Sequence, residues 1–230
     1  MNSSIRDNLR RLRDDIRETA VEAGRPLDAV RLLAISKTFS PQAIRQAVDA
    51  GQLLFGENRI QEAEPKIPLF RKDRVEWHLV GHLQSNKARQ AVELFDVIQS
   101  VDSEKIARRI ARFQPPQNGR LGVFIQVNIG EEDQKFGLPP EEAARLVETV
   151  DDLGSLELLG LMAIPPFTEN AKESRPYFQR MARLLGEINR ARSSPLLELS
   201  MGMSADYRVA IQEGSTMVRI GTALFGSRSG

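Results

Sequence analysis

Apolar runs and amphipathic stretches alternate along the whole chain. Apolar residues recur at helical spacing among charged ones at Ile5, Leu9, Leu12 and Ile16, which predicts an amphipathic helix at the start. Short apolar, β-branched or aromatic runs then alternate with helical stretches, and each run has a length typical of a buried strand. The predicted strands are Val30–Ser36, Leu53–Phe55, Glu76–Val80, Val97–Val101, Leu121–Asn128, Leu156–Ala163, Leu196–Ser200 and Met217–Phe225.

Capping residues mark the ends of the predicted helices. Ser40 and Pro41 have the order of an N-cap followed by a first-turn proline, and Gly51 ends that helix. Ser204 and Gly214 frame another helix in the same way. A longer helix is predicted from the apolar stripe of Tyr177, Phe178, Met181, Leu184, Leu185 and Ile188.

Eight strands that alternate with helices predict a single α/β domain over residues 1–230. The fold class is a (β/α)8 barrel of the TIM type with an extra N-terminal helix. An open doubly wound sheet is the alternative. It is disfavoured because no Gly-x-Gly-x-x-Gly follows the first strand and the chain has no Walker-type phosphate loop.

Composition excludes several classes of function. The formal net charge is +1, so no overall field favours nucleic acid or an anionic membrane. The chain has no cysteine, which excludes disulfides, thiolate metal sites and cysteine nucleophiles. No apolar stretch approaches the roughly 20 residues of a membrane span, and the charged N-terminus is unlike a signal peptide. We therefore expect a cytoplasmic protein with neither nucleic-acid nor membrane partners.

The first predicted strand ends on Lys37, at the end of a barrel where functional side chains lie. A half-buried ammonium group is costly to desolvate, so its pKa tends to fall. A neutral amine at the mouth of a pocket can form a Schiff base with an aldehyde. The alternative is a lysine that only caps the strand and reaches into solvent. Polar neighbours predict surface positions for Lys66, Lys72, Lys87, Lys105 and Lys135.

The segment Ser200-Met201-Gly202-Met203-Ser204 is a candidate phosphate site. It offers two hydroxyl groups, a glycine that would let the backbone approach a ligand, and backbone N–H groups at the start of a helix. Gly221 and Thr222 follow the eighth strand, and barrels often hold phosphate between the seventh and eighth strand ends. The alternative is a capping serine with methionines that fill the core.

Arg219 is predicted to point into the barrel, because Val218 and Ile220 on either side of it would face the helices. A guanidinium inside a barrel needs an acceptor. A structural ion pair with a carboxylate such as Glu57 is one interpretation. A ligand atom is the other, and an aromatic ring nitrogen would serve.

Three further residues are candidates at strand ends or inside a strand. His78 and His82 are the only histidines, and with no third ligand at a suitable spacing we expect no metal site. His82 ends the third strand and is expected to contact a ligand, whereas His78 is expected to pack inside the strand. Asn58 either bonds a ligand oxygen or caps the next helix, and Ser85-Asn86 is predicted to be a helix cap.

Taken together, these stretches resemble the pyridoxal phosphate homeostasis family (YggS/PROSC), small barrels related to the N-terminal domain of alanine racemase. The resemblance covers nearly the whole chain. The segments that carry it are Ala34-Ile35-Ser36-Lys37, Phe55-Gly56-Glu57-Asn58-Arg59, Trp77–Lys87, Ser200–Asp206 and Val218-Arg219-Ile220-Gly221-Thr222.

This resemblance implies a fold-type III pyridoxal phosphate barrel in which Lys37 holds the cofactor as a Schiff base. It also implies that Arg219 faces the pyridine nitrogen. The contacts implied for the phosphate are Ser204, Gly221 and Thr222, with Ser200 and Met201 close by, and those for the ring or a substrate are Asn58 and His82.

An arginine beside the pyridine nitrogen disfavours its protonation, which weakens carbanion chemistry. In alanine racemase, a second domain and a partner subunit supply a tyrosine base, whereas this sequence ends at Gly230. The expected function is therefore to store, buffer or deliver pyridoxal phosphate as a monomer, with pyridoxal-phosphate-dependent apoenzymes as potential partners. The alternatives are a weak amino-acid racemase and a Schiff-base lyase that uses Lys37 without a cofactor.

Overall fold

The computed structural model of the protein describes residues 4–226, and its strands close into a barrel. All strands run parallel and pair in chain order, and the eighth pairs with the first. The predicted (β/α)8 barrel is therefore confirmed. The strands are β1 (Arg31–Ile35), β2 (Leu54–Glu57), β3 (Glu76–Leu79), β4 (Val97–Val101), β5 (Leu121–Val127), β6 (Leu156–Ala163), β7 (Glu198–Met203) and β8 (Met217–Ile220).

Helices cover the outside of this barrel. Between the strands, short 3-10 turns supplement them. Within residues 4–226, no helix is long and apolar enough to cross a membrane. The helices are α1 (Ile5–Glu22), α2 (Pro41–Asp49), α3 (Ile60–Ala63), α4 (Ala88–Leu94), α5 (Glu104–Phe113), α6 (Ala143–Asp151), α7 (Arg175–Arg190), α8 (Tyr207–Gln212) and α9 (Thr222–Phe225).

Alternation along the strands separates two apolar layers. Val218 and Ile220 of β8 pack in the large cluster between the sheet and the helices. A smaller cluster fills the inside of the barrel. Its buried members are Leu33, Ile35, Val80, Val97, Phe124, Met162 and Met217.

The additional helix α1 packs against α2, α8 and α9. Its apolar face is buried at Leu9, Leu12 and Ile16, as the spacing predicted. The Asn8 side chain donates a hydrogen bond of 2.9 Å to the carbonyl oxygen of Leu224 in α9. This helix therefore holds the segment that follows the last strand.

Several bounds differ from the predicted ones, most of them by one to three residues. The seventh strand runs from Glu198 to Met203 rather than from Leu196 to Ser200, so most of the candidate phosphate segment belongs to the strand. The eighth strand ends at Ile220 rather than at Phe225, because Gly221 leaves the extended conformation and its carbonyl oxygen accepts the N–H groups of Leu224 and Phe225 at 3.0 and 2.9 Å. A helical turn is therefore present where a strand was predicted. The helix α8 also begins later than predicted, at Tyr207 rather than close to Ser204.

Candidate functional site

Lys37 lies at the C-terminal end of β1, in a tight turn. Phe39 N–H donates to the carbonyl oxygen of Ser36 at 3.1 Å, and the ring of Phe39 stacks on that of Phe225. Thr38 has a φ angle of 65°, which is rare for a β-branched residue, and its N–H donates to the Glu62 carboxylate at 3.1 Å. Lys37 is half-buried, so it is accessible at the mouth of the barrel.

A buried ion pair lies directly beneath this turn. The Nζ of Lys66 donates to Oε1 of Glu57 and to the carbonyl oxygen of Ser36, both at 2.9 Å. Ser36 Oγ donates to the same carboxylate oxygen at 2.8 Å. Burial raises the pKa of Glu57, against the lowering effect of Lys66 and Ser36. The prediction that Lys66 lies at the surface is wrong, since this carboxylate draws the ammonium group inside.

Arg219 points into the barrel, as predicted, but it does not pair with Glu57. Its Nη1 donates to the carbonyl oxygen of Ser200 at 2.7 Å and to Ser200 Oγ at 2.8 Å. Its Nη2 donates to the carbonyl oxygen of Ala163 at 2.8 Å. Burial lowers the pKa of Arg219 to about 10. The structural ion-pair interpretation is therefore wrong, and neutral oxygens of β6 and β7 hold the guanidinium.

A chain of buried polar side chains continues from Arg219 across the inside of the barrel. Ser200 Oγ donates to Oε1 of Gln99 at 2.7 Å, and Nε2 of Gln99 lies 2.7 Å from Nδ1 of His78. The other ring nitrogen of His78 lies 2.7 Å from the Glu76 carboxylate. His78 is thus packed in its strand, as predicted. The sequence reasoning missed Gln99, although a glutamine inside the apolar run of β4 was a signal for it.

The candidate phosphate contacts lie at the ends of β7 and β8. In this sheet Met203 lies opposite Arg219, so Ser204 follows β7 next to the end of β8. Ser204 is half-buried and Thr222 is exposed at the start of α9. The first N–H groups of a helix have no partners within it, so this edge presents backbone donors beside a hydroxyl group.

Gly202 and Asp206 shape the connection between β7 and α8. Gly202 has a φ of 92°, and a Cβ on it would lie 2.5 Å from the Cβ of Ala210. Glycine is therefore required here for the close packing of α8 on β7. Asp206 precedes α8 and accepts the N–H of Met203 at 2.7 Å, so Ser204 is not the capping residue. Met201 is fully buried in the core.

Asn58 and His82 line one cleft of about 600 Å³ at the ends of β2 and β3. The His82 ring stacks on Phe136 with a centroid separation of 3.8 Å, and its Nδ1 lies 3.3 Å from Oδ2 of Asp102. Asn58 does not cap α3, which begins after Arg59 without a side-chain cap. The predicted cap at Ser85-Asn86 is also wrong, since this pair lies within a short 3-10 turn that follows Gln84.

The two tyrosines lie on helices rather than at strand ends. The Tyr207 hydroxyl donates to Asp15 of α1, and burial with this carboxylate raises the pKa of Tyr207 to about 12. Tyr177 is half-buried in α7. Among residues 4–226, no group of histidines and carboxylates is arranged to hold a metal ion.

Comparisons with known proteins agree with this architecture. The family model described as the alanine racemase N-terminal domain matches residues 3–229. A protein of Pasteurella multocida named pyridoxal phosphate homeostasis protein is 43% identical over 228 residues, which cover 98% of each chain. The protein of the same name from Escherichia coli is 42% identical over 230 residues, covering 98% of this chain and 97% of the other.

Solved structures show the same barrel. PipY of Synechococcus elongatus without pyridoxal phosphate has a TM-score of 0.87 and 37% identity, covering 97% of this chain and 100% of its own. PipY with pyridoxal phosphate bound has a TM-score of 0.80 and 38% identity, covering 92% of this chain and 100% of its own. Alanine racemase of Clostridium difficile shares the fold, with a TM-score of 0.66 and 14% identity over 95% of this chain and 57% of its own. The chain belongs to the pyridoxal phosphate homeostasis protein family, built on the barrel of the alanine racemase N-terminal domain.

Proposed function

We propose that this protein binds pyridoxal 5′-phosphate at the C-terminal end of its barrel, holds it covalently on Lys37 as a Schiff base, and stores, buffers or delivers it as a monomer. The relatives from Pasteurella multocida and Escherichia coli are named pyridoxal phosphate homeostasis proteins, and PipY has been solved with pyridoxal phosphate bound. When bound, pyridoxal phosphate supplies an electrophilic aldehyde and an aromatic ring that can accept electron density.

The observation that carries this proposal is the buried guanidinium of Arg219. Of the five N–H groups of an arginine, three donate to Ser200 and Ala163. Two are then left for an acceptor inside the barrel, such as a ring nitrogen. A cation at this position disfavours a second positive charge on the ring, so the site binds an aldehyde without favouring its carbanion chemistry.

The other residues have suitable positions for the remaining parts of the cofactor. Lys37 is half-buried at the end of β1, and β8 pairs with β1, so the mouth places the lysine beside the start of α9. Ser204 and Thr222 offer hydroxyl groups for a phosphate, and the start of α9 at Gly221 and Thr222 offers backbone N–H groups. A Cβ on Gly221 would lie 3.3 Å from the carbonyl oxygen of Ile35, so glycine keeps this approach to β1 open.

The exposed surroundings of Lys37 support release of pyridoxal phosphate rather than its permanent retention. Thr38 and Thr222, which follow the neighbouring strands β1 and β8, are both exposed at the mouth. An incoming amine, free or on an apoenzyme, can therefore reach Lys37 from solvent. The hydroxyl group of Tyr207 bonds to Asp15 on α1, so this tyrosine is not presented as an acid or base to the mouth.

Uptake and release test the proposal together. The purified protein is loaded with pyridoxal phosphate, passed over a desalting column, and its retained absorption band is recorded for the wild type, Lys37→Ala and Lys87→Ala. Lys87 is the control because it is a lysine of the neighbouring cleft. We expect only Lys37→Ala to lose the band, and an added apoenzyme or free amine to remove it from the wild type. A band that survives in Lys37→Ala contradicts the proposal.

Weak amino-acid racemase activity is a second candidate, favoured by the pairing of His82 with Asp102 at the mouth. A carboxylate that orients an imidazole is a common arrangement for a general base. The test is incorporation of deuterium at the α-carbon of alanine or serine in heavy water. Deuterium incorporation that requires bound pyridoxal phosphate and is lost in His82→Phe would support a racemase rather than a carrier of the cofactor.

A further inference from the structure

We infer that Gln99 is a positioning residue. It links the ring of His78 to the guanidinium of Arg219, so that the proton position on the ring and the orientation of the guanidinium's acceptor depend on each other. The inference deepens the proposed function and rests on it where it concerns the cofactor. Arg219 is the cation placed for the ring nitrogen, and a hydrogen-bonded chain connects it to the N-terminal end of the barrel. The members of this chain, in order, are Arg219, Ser200, Gln99, His78 and Glu76.

The direction of every hydrogen bond in the chain follows from its two ends. Glu76 ends the chain with a carboxylate, which only accepts, so Nε2 of His78 carries the proton. In the neutral ring Nδ1 is then an acceptor, and Gln99 must turn its NH2 group toward it. The amide oxygen consequently faces Ser200, whose hydroxyl donates to it and accepts from Arg219.

The chain is isolated from water over most of its length. His78, Gln99 and Ser200 are completely buried. Glu76 is half-exposed, in a cleft of about 520 Å³ at the opposite end of the barrel from the candidate site. A buried polar group without a partner is costly, and solvent does not reach these side chains to replace a lost partner. If one hydrogen bond of the chain reverses its direction, the next residue must therefore reorient as well.

The neutral state of His78 is set by its surroundings. Burial lowers the pKa of His78, against the raising effect of Glu76 and Asp96, and Arg31 of β1 adds to the lowering. If His78 took up a second proton, Nδ1 would become a donor facing the donor NH2 of Gln99. The amide would then have to turn over, and Ser200 would face donors from both Gln99 and Arg219. The Ser200 hydroxyl proton would then lose Gln99 as its acceptor and turn elsewhere, which changes the orientation of the oxygen that accepts from Arg219.

The experiment compares Gln99→Met and Gln99→Glu with Gln52→Leu. Methionine keeps the length of Gln99 without its polar atoms, and glutamate replaces the NH2 donor by an acceptor. Gln52 is a matched control, because it is buried and donates to the carbonyl oxygens of Leu32 and Leu54 but lies outside the chain.

The first readout uses unloaded protein. Nitrogen-15 spectra are recorded for the two histidine rings and for the arginine Nε groups, with Arg219 identified by the loss of its signal in Arg219→Lys. We expect wild-type His78 to carry its proton on Nε2, and Gln99→Glu to place a proton on Nδ1. The Arg219 signal should move in both Gln99 variants and stay in place in Gln52→Leu. Unchanged Arg219 signals in both folded Gln99 variants would overturn the inference, whatever the protein binds.

The second readout adds pyridoxal phosphate. In Gln99→Met the dissociation constant should rise about tenfold, the effect of one disturbed buried hydrogen bond, and less than about twofold in Gln52→Leu. The His78 signals should move on loading in the wild type but not in Gln99→Met. A wild type that takes up no pyridoxal phosphate refutes the proposed function, and the unloaded spectra still decide the role of Gln99. Equal dissociation constants in wild type and Gln99→Met refute the coupling to the site.

Discussion

Lys66→Met tests the buried ion pair that supports the turn of Lys37. The substitution keeps the apolar stem of Lys66 but removes the ammonium group that donates to Glu57 and Ser36. Glu57 is completely buried, so its carboxylate would be left with the Ser36 hydroxyl as its described donor. Breaking a buried pair by removing one partner costs about 3–5 kcal/mol. For a chain of this length, that corresponds to a fall in melting temperature of roughly 6–20 °C.

The stability lost in Lys66→Met should be larger at high pH than at low pH. Glu57 has a raised pKa in the folded protein, so it keeps its proton to higher pH than in the unfolded chain, where the ordinary value is 4.5. Stability therefore falls as pH rises from that value through the folded pKa, and is then constant. Without Lys66 the pKa of Glu57 in the folded protein rises further, so the free energy of unfolding falls by a larger amount. The deficit of Lys66→Met should accordingly be smallest near pH 4.5 and largest above neutrality.

Urea unfolding followed by circular dichroism between pH 4.5 and 8 measures this difference. The exposed Lys72→Met is the control for the loss of one lysine. The double variant Glu57→Gln with Lys66→Met should recover most of the lost stability, because no buried charge is then left unpaired. A deficit below about 0.5 kcal/mol, or one that shrinks as pH rises, would refute the account of this pair.

Two more substitutions test other parts of the structure. Gly81→Ala should reduce stability by more than about 3 kcal/mol or prevent folding, because its Cβ would lie 2.0 Å from the backbone carbonyl oxygen of Asn58. A melting temperature equal to that of wild type would contradict this close approach. Tyr207→Phe should lower the free energy of unfolding by about 1–2 kcal/mol, because the hydrogen bond to Asp15 is lost. Thermal unfolding measures this change, and desalting should show unchanged retention of pyridoxal phosphate. Loss of the cofactor in this variant would indicate that Tyr207 is part of the site.

Strand positions were predictable because the barrel buries both faces of each strand. A parallel strand then reads as a continuous apolar run, as at Val97–Val101, which matches β4 in both bounds. The same property explains the error after Ile220. Apolar residues continue through Leu224 and Phe225, and their pattern alone does not separate a strand from a buried helical turn.

The polar contacts were less predictable, since partners distant in sequence decide them. Lys66 has polar neighbours in the chain, and only the fold reveals the carboxylate of Glu57 beside it. Arg219 was correctly placed inside the barrel by alternation, but its acceptors come from Ser200 and Ala163 on two other strands. The role of Gln99 likewise depends on residues far from it in the chain. Alternation predicts which way a side chain points, whereas its partners follow from the closed sheet.

The measurement that tests the central claim most directly is the location of the covalent adduct. Protein loaded with pyridoxal phosphate is reduced with borohydride, digested, and analysed by mass spectrometry for every lysine-containing peptide. The account predicts a single stoichiometric adduct on Lys37, with the peptides of Lys66 and Lys87 unmodified. A dominant adduct on another lysine, or no adduct in a protein that retains the cofactor, would contradict it.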